Sequence, residues 1–440
     1  MSKLPQMNHM TSNARPDIEG TAQDIGRILS PLTIRERAAS LYRLACEGRT
    51  HFAVHPEKLD EVSDLVVAMT RELYPTLEIP FHSRWNHFQA GGVDRLSRLA
   101  LALDRAGLSA KDRARAKIDL GVVSVLLDAG AGPTWTYTDP STQKKFSRSE
   151  GLAVASFDLF IAGTFSADPQ APYRVDAEGL NQLTRETLAR GFQVDPEKNP
   201  MAGFDGRFEL LKSLGRLLGP ELMESQGSPY GLTLQGCPSA LLDYFENSQS
   251  SAGIAGVEIL NGVQRGLGTI WPGRVTINKF NLGDVWHYAP LWHGGEQDST
   301  HFGPTDALVP FHKLSQWMSY SLVEPLQEAG INVFDIDGLT GLAEYRNGGL
   351  VLDGGLIALR NPEDALREHH PGAEIIVEWR ALTLYWLDRI GEMVRVKLGR
   401  PDLPLTKVLE GGTWWVGRRL AAKLRDGSPP LKLISDGTVF

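Results

Sequence analysis

Residues 373–398 read AEIIVEWRALTLYWLDRIGEMVRVKL and form the clearest helical pattern in the chain. Apolar side chains recur there every three to four residues, which is the period of an α-helix with a buried side. The same period recurs in stretches 57–73, 93–106, 110–129, 149–163, 176–191, 205–218 and 310–328. The sequence therefore predicts a mainly α fold.

Minor β-strands are predicted beside these helices. The short apolar runs 254–260 and 350–352 are the candidate strands, and residues 262–309 form a long segment rich in glycine and aromatic residues. Such segments often line a site in a compact protein. Residues 1–20 are predicted to be a flexible tail and residues 21–440 a single helical domain.

The first long helix is predicted near Ser30. Thr33 is a candidate N-cap, because Glu36 follows three residues later in the pattern of a capping box. Residues with strong turn preference, glycine and proline, separate most of the predicted helices.

The composition excludes several classes of function. The chain has 440 residues, of which 42% are hydrophobic, and a formal net charge of −8. A nucleic-acid partner would favour a basic surface, so none is predicted. No apolar run approaches the roughly 20 residues that cross a bilayer, so no membrane partner is predicted either. Cys46 and Cys237 are too few for a disulfide framework, and each is predicted to be a small buried side chain. A cytoplasmic location is expected, and the oligomeric state stays open.

Residues 334–346, FDIDGLTGLAEYR, are the first candidate for catalysis. They place Asp335, Asp337, Glu344 and Arg346 among apolar residues that favour burial. Carboxyl groups in apolar surroundings can act as acids or bases near neutral pH. The alternative is structural, with the carboxylates serving as helix caps or as a Glu–Arg pair.

The same segment is predicted to form a short helix over residues 339–346. Asp337 or its neighbour would cap it, and residues 347–349, Asn-Gly-Gly, would stop it. On such a helix Asp337 and Glu344 would lie on nearly the same side.

A second candidate is the stretch 80–88, PFHSRWNHF. Its His82, Arg84, Trp85 and His87 could hold an anionic sugar phosphate and stack on a planar group. An ordinary packed loop is the alternative.

A third candidate combines Trp135 with residues 148–152, RSEGL. Ser149 is a candidate N-cap, and the helix N-terminus beside Arg148 could bind a phosphate. A plain helix cap is the alternative.

The stretch 310–322 places His312 and Gln316 in a polar stripe beside an apolar helix face. Such a stripe can line a pocket, or the helix can be an ordinary amphipathic one. Four side chains that could bind a metal occur between residues 287 and 301, namely His287, His293, Glu296 and His301. Their spacing matches no helical zinc motif, so neither a metal nor another cofactor is predicted.

Several motifs resemble a family of uncharacterised proteins associated with a uracil-catabolism (URC) pathway in fungi and bacteria. These motifs are IPFHSRW at 79–85, RSEGL at 148–152, PFHKLSQW at 310–317 and the ending SDGTVF at 435–440. The resemblance runs from about residue 25 to the end. It implies a place in a pathway in which uracil becomes a ribonucleotide and a cyclohydrolase-like enzyme opens the ring. Urea must then be released from the resulting ribosylurea phosphate.

Residues 337–346, DGLTGLAEYR, are similar to the Leu-Thr and Ala-Asp-Tyr-Arg segment of queuosine salvage proteins. Those are N-ribosyl hydrolases with a helical fold related to DNA glycosylases. The likeness implies that fold here, and it implies cleavage of an N-glycosidic bond. Glu344 stands where that family has Asp, which moves the carboxylate by about one methylene.

Together these observations predict an N-ribosyl hydrolase that acts on a small nucleotide or ribose phosphate. Glu344 or Asp337 would stabilise the oxocarbenium and position water, with Asp335 as a further carboxylate and Arg346 as their partner. The expected substrate-binding residues are His82, Arg84, Trp85, His87, Trp135, Arg148, Glu150, His312, Gln316 and Tyr345. Two alternatives stay open: a non-catalytic scaffold of the same pathway, and a metal-dependent amidohydrolase that acts on a ureido product.

Overall fold

The computed structural model describes residues 17–128, 130–220, 232–271, 273–293, 303 and 305–434. Within these residues the fold is mainly α, as predicted. The helices are α1 Ala22–Leu29, α2 Pro31–Cys46, α3 Leu59–Leu73, α4 Arg84–Phe88, α5 Arg95–Arg105, α6 Ala110–Leu126, α7 Arg148–Ile161, α8 Ala177–Gln182, α9 Arg185–Gly191, α10 Phe204–Leu218, α11 Leu241–Ser248, α12 Gly256–Leu267, α13 Lys313–Glu328, α14 Tyr345–Asp353, α15 Glu374–Leu398, α16 Leu405–Val408 and α17 Trp414–Arg425.

Short strands pair mostly two by two. They are β1 Asp17–Ile18, β2 Phe52–Val54, β3 Thr136–Thr138, β4 Lys145–Ser147, β5 Ile254–Ala255, β6 Thr276–Ile277, β7 Phe280–Asn281, β8 Val285–His287, β9 Leu308–Pro310, β10 Val333–Phe334, β11 Ile357–Leu359, β12 Glu368–His369 and β13 Lys432–Leu433. Strand β1 pairs with β6, so the described end of the predicted tail is paired with residues far along the chain. The rest of that tail, residues 1–16, lies outside the described residues.

Helix α15 is buried on nearly all sides over its first half, where residues 375–384 are all buried. It packs on α2, α3 and α14. The helix ends at Gly399, whose φ of 67° is the left-handed conformation that glycine adopts without strain. One contiguous cluster of buried apolar side chains extends from Ile34 to Leu431.

A second set of helix contacts fixes the positions of α13, α14 and α17. Helix α13 packs on α6 and α12, and α14 packs on α17. Between α16 and α17 the chain forms a π-helical turn, Leu409–Thr413, that packs against α3. Among the described residues, no helix has both the length and the apolar character needed to span a membrane.

Several local predictions are wrong. Ser30, not Thr33, caps α2, because Pro31 occupies the first helical position and the Ser30 hydroxyl accepts the N–H of Leu32 at 3.2 Å. The stretch 176–191 is two helices, since Thr184 caps the second one. Residues 350–352 belong to helix α14, and the predicted strand at 254–260 becomes helix α12 from Gly256 onward.

Candidate active site

Glu344 is the N-cap of helix α14. Its carboxylate oxygens accept the backbone N–H of Arg346 at 2.8 Å and that of Asn347 at 2.6 Å. The predicted helix over 339–346 is therefore wrong, because the chain becomes helical only after this cap. The predicted stop at residues 347–349 is also wrong, since these residues form the first part of α14.

Asp335 and Asp337 lie elsewhere, on the surface. Asp337 pairs with Arg395 at 2.5 Å and accepts the N–H of Leu405 at 2.7 Å, and 44% of its side chain is exposed. Asp335 is exposed and has a positive φ of 46°. The structure thus corrects the expectation that the three carboxylates share one site. Only Glu344 is buried.

A buried ion pair lies where helices α4, α6 and α7 meet. The Arg84 guanidinium is 3.1 Å from the carboxylate of Asp128, which lies two residues after the end of α6. Ser149 donates its hydroxyl to the same carboxylate at 2.7 Å. Ser149 is therefore not an N-cap, and Ser147 occupies that position. Burial raises the pKa of Asp128, but Arg84 and nearby His87 more than offset this and lower it overall.

Lys313, the first residue of α13, lies near enough to Asp128 and Glu344 for both carboxylates to act on its ammonium. Burial lowers the pKa of its ammonium, and the carboxylates of Asp128 and Glu344 partly restore it. Its side chain makes no hydrogen bond to any described residue. The sequence analysis missed this lysine, although it follows His312 directly in a stretch that was already under consideration.

Glu150 and Arg346 are two further charged residues near Asp128, Lys313 and Glu344. Arg418 forms an ion pair with Glu150. Burial raises the pKa of Glu150, but Arg418, His87 and Arg346 lower it overall. The Arg346 guanidinium lies 4.3 Å from the ring centre of Trp414. We use the name charge cluster for the residues Arg84, Asp128, Glu150, Lys313, Glu344 and Arg346.

A cleft of about 780 Å³ opens beside the charge cluster. Its lining includes His82, His87, Glu150, Glu410, Trp414 and Arg418. The two histidine rings pack against Trp317, with centroids 4.8 Å away for His82 and 5.5 Å away for His87. Burial and the nearby Arg84 lower the pKa of His87. The cleft therefore combines stacking surfaces with ionisable groups.

Glu410 is the second functional candidate that the sequence analysis missed. Its carboxylate is 2.7 Å from Nδ1 of His82, and Tyr74 donates its hydroxyl to it at 3.3 Å. The only sequence signal is the run Gly411-Gly412-Thr413 before two tryptophans, in which the glycines permit close packing on α3. π-helical turns are frequent at functional sites.

Four of the predicted substrate-binding residues have a backbone carbonyl of the protein as a side-chain partner. Trp85 donates to the Ser321 carbonyl at 2.8 Å and Trp135 to the Phe192 carbonyl at 3.0 Å. Arg148 donates from Nη1 to the Gly427 carbonyl at 3.1 Å.

His312 is the fourth of these, with Nε2 3.0 Å from the Ile28 carbonyl. Gln316 exchanges two hydrogen bonds with Thr340 and so positions the stretch that leads to Glu344. Tyr345 is half-buried, with the Arg346 guanidinium 5.4 Å from its ring centre.

His287 is exposed on β8. The side chains of His293, Glu296 and His301 lie outside the described residues. Within the described part of the chain, no group of three or more His, Cys, Asp or Glu side chains is arranged to hold a metal ion. Cys46 is exposed and Cys237 is partly buried, so the prediction of a buried thiol is wrong for Cys46.

The fold and the site define a mainly α protein with a partly buried charge cluster beside an aromatic cleft. Residues 27–440 match the model of a family described as "Protein of unknown function (DUF1688)", and the chain belongs to that family.

Two relatives are similar over most of their length. The protein named Protein urg3 from Schizosaccharomyces pombe is 38% identical over 433 residues, covering 96% of this chain and 100% of the relative. Uracil catabolism protein 4 from Lachancea kluyveri is 37% identical over 419 residues, covering 89% of this chain and 92% of the relative.

Proposed function

We propose that this protein is an N-ribosyl hydrolase of uracil catabolism. It would cleave the N-glycosidic bond of ribosylurea 5-phosphate, a ring-opened uridine nucleotide, to urea and ribose 5-phosphate. The name of the Lachancea kluyveri relative supports the pathway. The observation that carries the reaction is the charge cluster, which sets three carboxylates among three cations beside a cleft with aromatic walls.

The carboxylates match the charge that develops during the reaction. Breaking the bond between ribose C1′ and nitrogen builds positive charge on the sugar ring, and a fixed carboxylate nearby stabilises it. We assign this role to Glu344. Each of its oxygens accepts one backbone N–H, which leaves each a further lone pair for a ligand. The cap also fixes the carboxylate in place, so it needs no rearrangement.

The cations match the other end of the substrate. Lys313 is half-buried, its side chain makes no hydrogen bond within the described chain, and it lies near both Asp128 and Glu344. A bound phosphate would supply the hydrogen-bond acceptors that its ammonium lacks among the described residues. The Arg346 guanidinium lies over the ring of Trp414, and Trp414 lines the cleft as an aromatic wall on which planar urea can pack.

The test is an assay of the purified protein with ribosylurea 5-phosphate, in which both urea and ribose 5-phosphate are measured. We expect equal amounts of the two products. The variant Glu344→Gln keeps the size of the side chain but removes its charge, and should lower the rate by about 10²–10³-fold. Absence of urea release by the unchanged protein would overturn the proposal.

A matched control separates catalysis from helix capping. Asp176 is also a buried N-cap carboxylate, and it accepts the N–H of Gly179 at 2.7 Å at the start of α8. Asp176→Asn should leave the rate unchanged, because Asp176 lies outside both the charge cluster and the cleft lining. If both variants lose activity equally, Glu344 acts only through folding.

A further inference from the structure

His82 and Glu410 form a dyad in the lining of the cleft. Only 2% of His82 and 5% of Glu410 is exposed, and the Nδ1 to Oε2 distance is 2.7 Å. The carboxylate can only accept, so Nδ1 carries the proton of this hydrogen bond. Nε2 makes no hydrogen bond with the described residues and is the nitrogen left for proton exchange.

The surroundings hold this dyad rigidly. The backbone N–H of His82 donates to the hydroxyl of Thr406 at 3.0 Å and to its carbonyl at 3.2 Å. The second carboxylate oxygen of Glu410 accepts the Tyr74 hydroxyl. Burial raises the pKa of Glu410, but the interactions with His82, the hydrogen bond foremost, outweigh this and lower it overall. Glu410 therefore remains an anion behind the imidazole.

We propose that His82 is the proton-transfer residue of the hydrolysis and that Glu410 positions it. The role rests on the proposed function. Nε2 takes a proton from water as the water oxygen bonds to ribose C1′. The bond from C1′ to nitrogen breaks, and its electron pair stays on the urea nitrogen. The imidazolium returns its proton to that nitrogen, so that one water is consumed and neutral urea leaves.

This role differs from that of Glu344. Urea is a poor leaving group as an anion, so an acid must protonate it as the bond breaks. Glu344 supplies a fixed negative charge for the oxocarbenium, whereas the dyad supplies a group that changes protonation state within each turnover. Division of labour between two such groups is the pattern of glycoside hydrolysis.

The variant His82→Asn tests the dyad, since its amide can still donate to Glu410 while the base at Nε2 is lost. We expect kcat to fall by about 10²–10⁴-fold with little change in KM. The acidic limb of the pH–rate profile should also disappear. Full activity with an unchanged profile would overturn the proposal even if the unchanged protein releases urea.

A second variant keeps the test decisive if His82→Asn does not fold. Glu410→Gln removes the negative charge behind the imidazole and should move the acidic limb of the pH–rate profile to lower pH. A purely structural role would lower the yield of folded protein without moving the limb. An unmoved limb at a normal yield therefore contradicts the dyad.

His51 and Glu378 offer a matched control pair. Their Nδ1 to Oε2 distance is 2.9 Å, and neither residue lines the cleft. His51→Asn should leave both kcat and the pH profile unchanged. Other ionisable groups near the dyad can also affect the pH–rate profile. Their effects are common to all variants, so they cancel when the profiles are compared. These groups are Tyr74, Arg84, His87, Glu150, Glu324 and Arg418.

If the unchanged protein releases no urea, the proposed function fails and the dyad's role fails with it.

Discussion

Trp379 donates its indole N–H to the carbonyl of Gly348 at 3.0 Å, and its ring lies against the Cα of the same glycine. A Cβ on Gly348 would lie 2.7 Å from the ring. Helix α14 can therefore approach α15 this closely only with glycine at position 348. The contact fixes the helix whose N-cap is Glu344.

The variant Gly348→Ala should reduce stability by about 1–3 kcal/mol, because the added methyl group overpacks a buried contact. The measurement is the urea unfolding midpoint. Gly26→Ala in α1 is the control, since no atom lies within 4 Å of its added Cβ. That variant should be neutral or stabilising by up to about 1 kcal/mol. Equal effects at the two positions would contradict the packing argument.

Asp337→Asn should leave the rate of urea release unchanged, whereas Glu344→Gln lowers it. The reason is location, because Asp337 pairs with Arg395 at the surface while Glu344 belongs to the charge cluster. Loss of an exposed ion pair costs at most about 1 kcal/mol, so the variant should remain folded. The sequence analysis gave Asp337 and Glu344 the same candidate catalytic role. A similar loss of rate in both variants would therefore contradict the assignment of catalysis to Glu344 alone.

The buried pair of Arg84 and Asp128 should show strong coupling in a double-mutant cycle. Arg84→Leu leaves a buried carboxylate without its partner and should destabilise the protein by about 3–5 kcal/mol. Adding Asp128→Asn removes that uncompensated charge and should recover part of the loss. Stability is measured by urea unfolding of the two single variants and the double variant. Simple additivity of the single effects would show that the two groups do not interact.

Asp119 should make stability depend on pH. Burial raises the pKa of this carboxyl to about 7, although it accepts the N–H groups of Val175 at 3.0 Å and Ser239 at 2.8 Å. The folded protein therefore holds a proton that the unfolded chain, with an ordinary pKa of 3.8, has released. Between about pH 4 and pH 7 the contribution of Asp119 to stability falls as the pH rises.

Asp119→Asn removes this titration. The unfolding free energy of the unchanged protein minus that of the variant should fall from pH 5 to pH 8, because only the unchanged protein loses the contribution of protonated Asp119. The slope should be at most about 1.4 kcal/mol per pH unit. Urea unfolding at several pH values provides the measurement. A constant difference across this range would show that the carboxyl is already ionised in the folded protein at pH 5.

Local sequence signals located the helices well but not the partners of individual side chains. The pattern at 373–398 predicts α15 to within one residue at its start, because helical periodicity depends only on residues close together in the sequence. The prediction of a helix over 339–346 is wrong because it also relied on neighbouring residues alone. The apolar spacing of this segment favours a helix, yet Glu344 caps a helix that begins at the next residue. Gly348 and Gly349 suggest a helix stop, but Gly348 is required by Trp379, far away in the sequence.

By itself the sequence determined the mainly α fold, the resemblance to a uracil-catabolism family, and the candidate status of Glu344, Arg346, Glu150 and His82. Only the tertiary structure decided which charges meet. It moved Asp337 to the surface, brought Lys313 beside Glu344, and paired His82 with Glu410 across 328 positions. The physical reason is that burial and ion pairing depend on distances between helices. Residue periodicity carries no information about which helices will be neighbours.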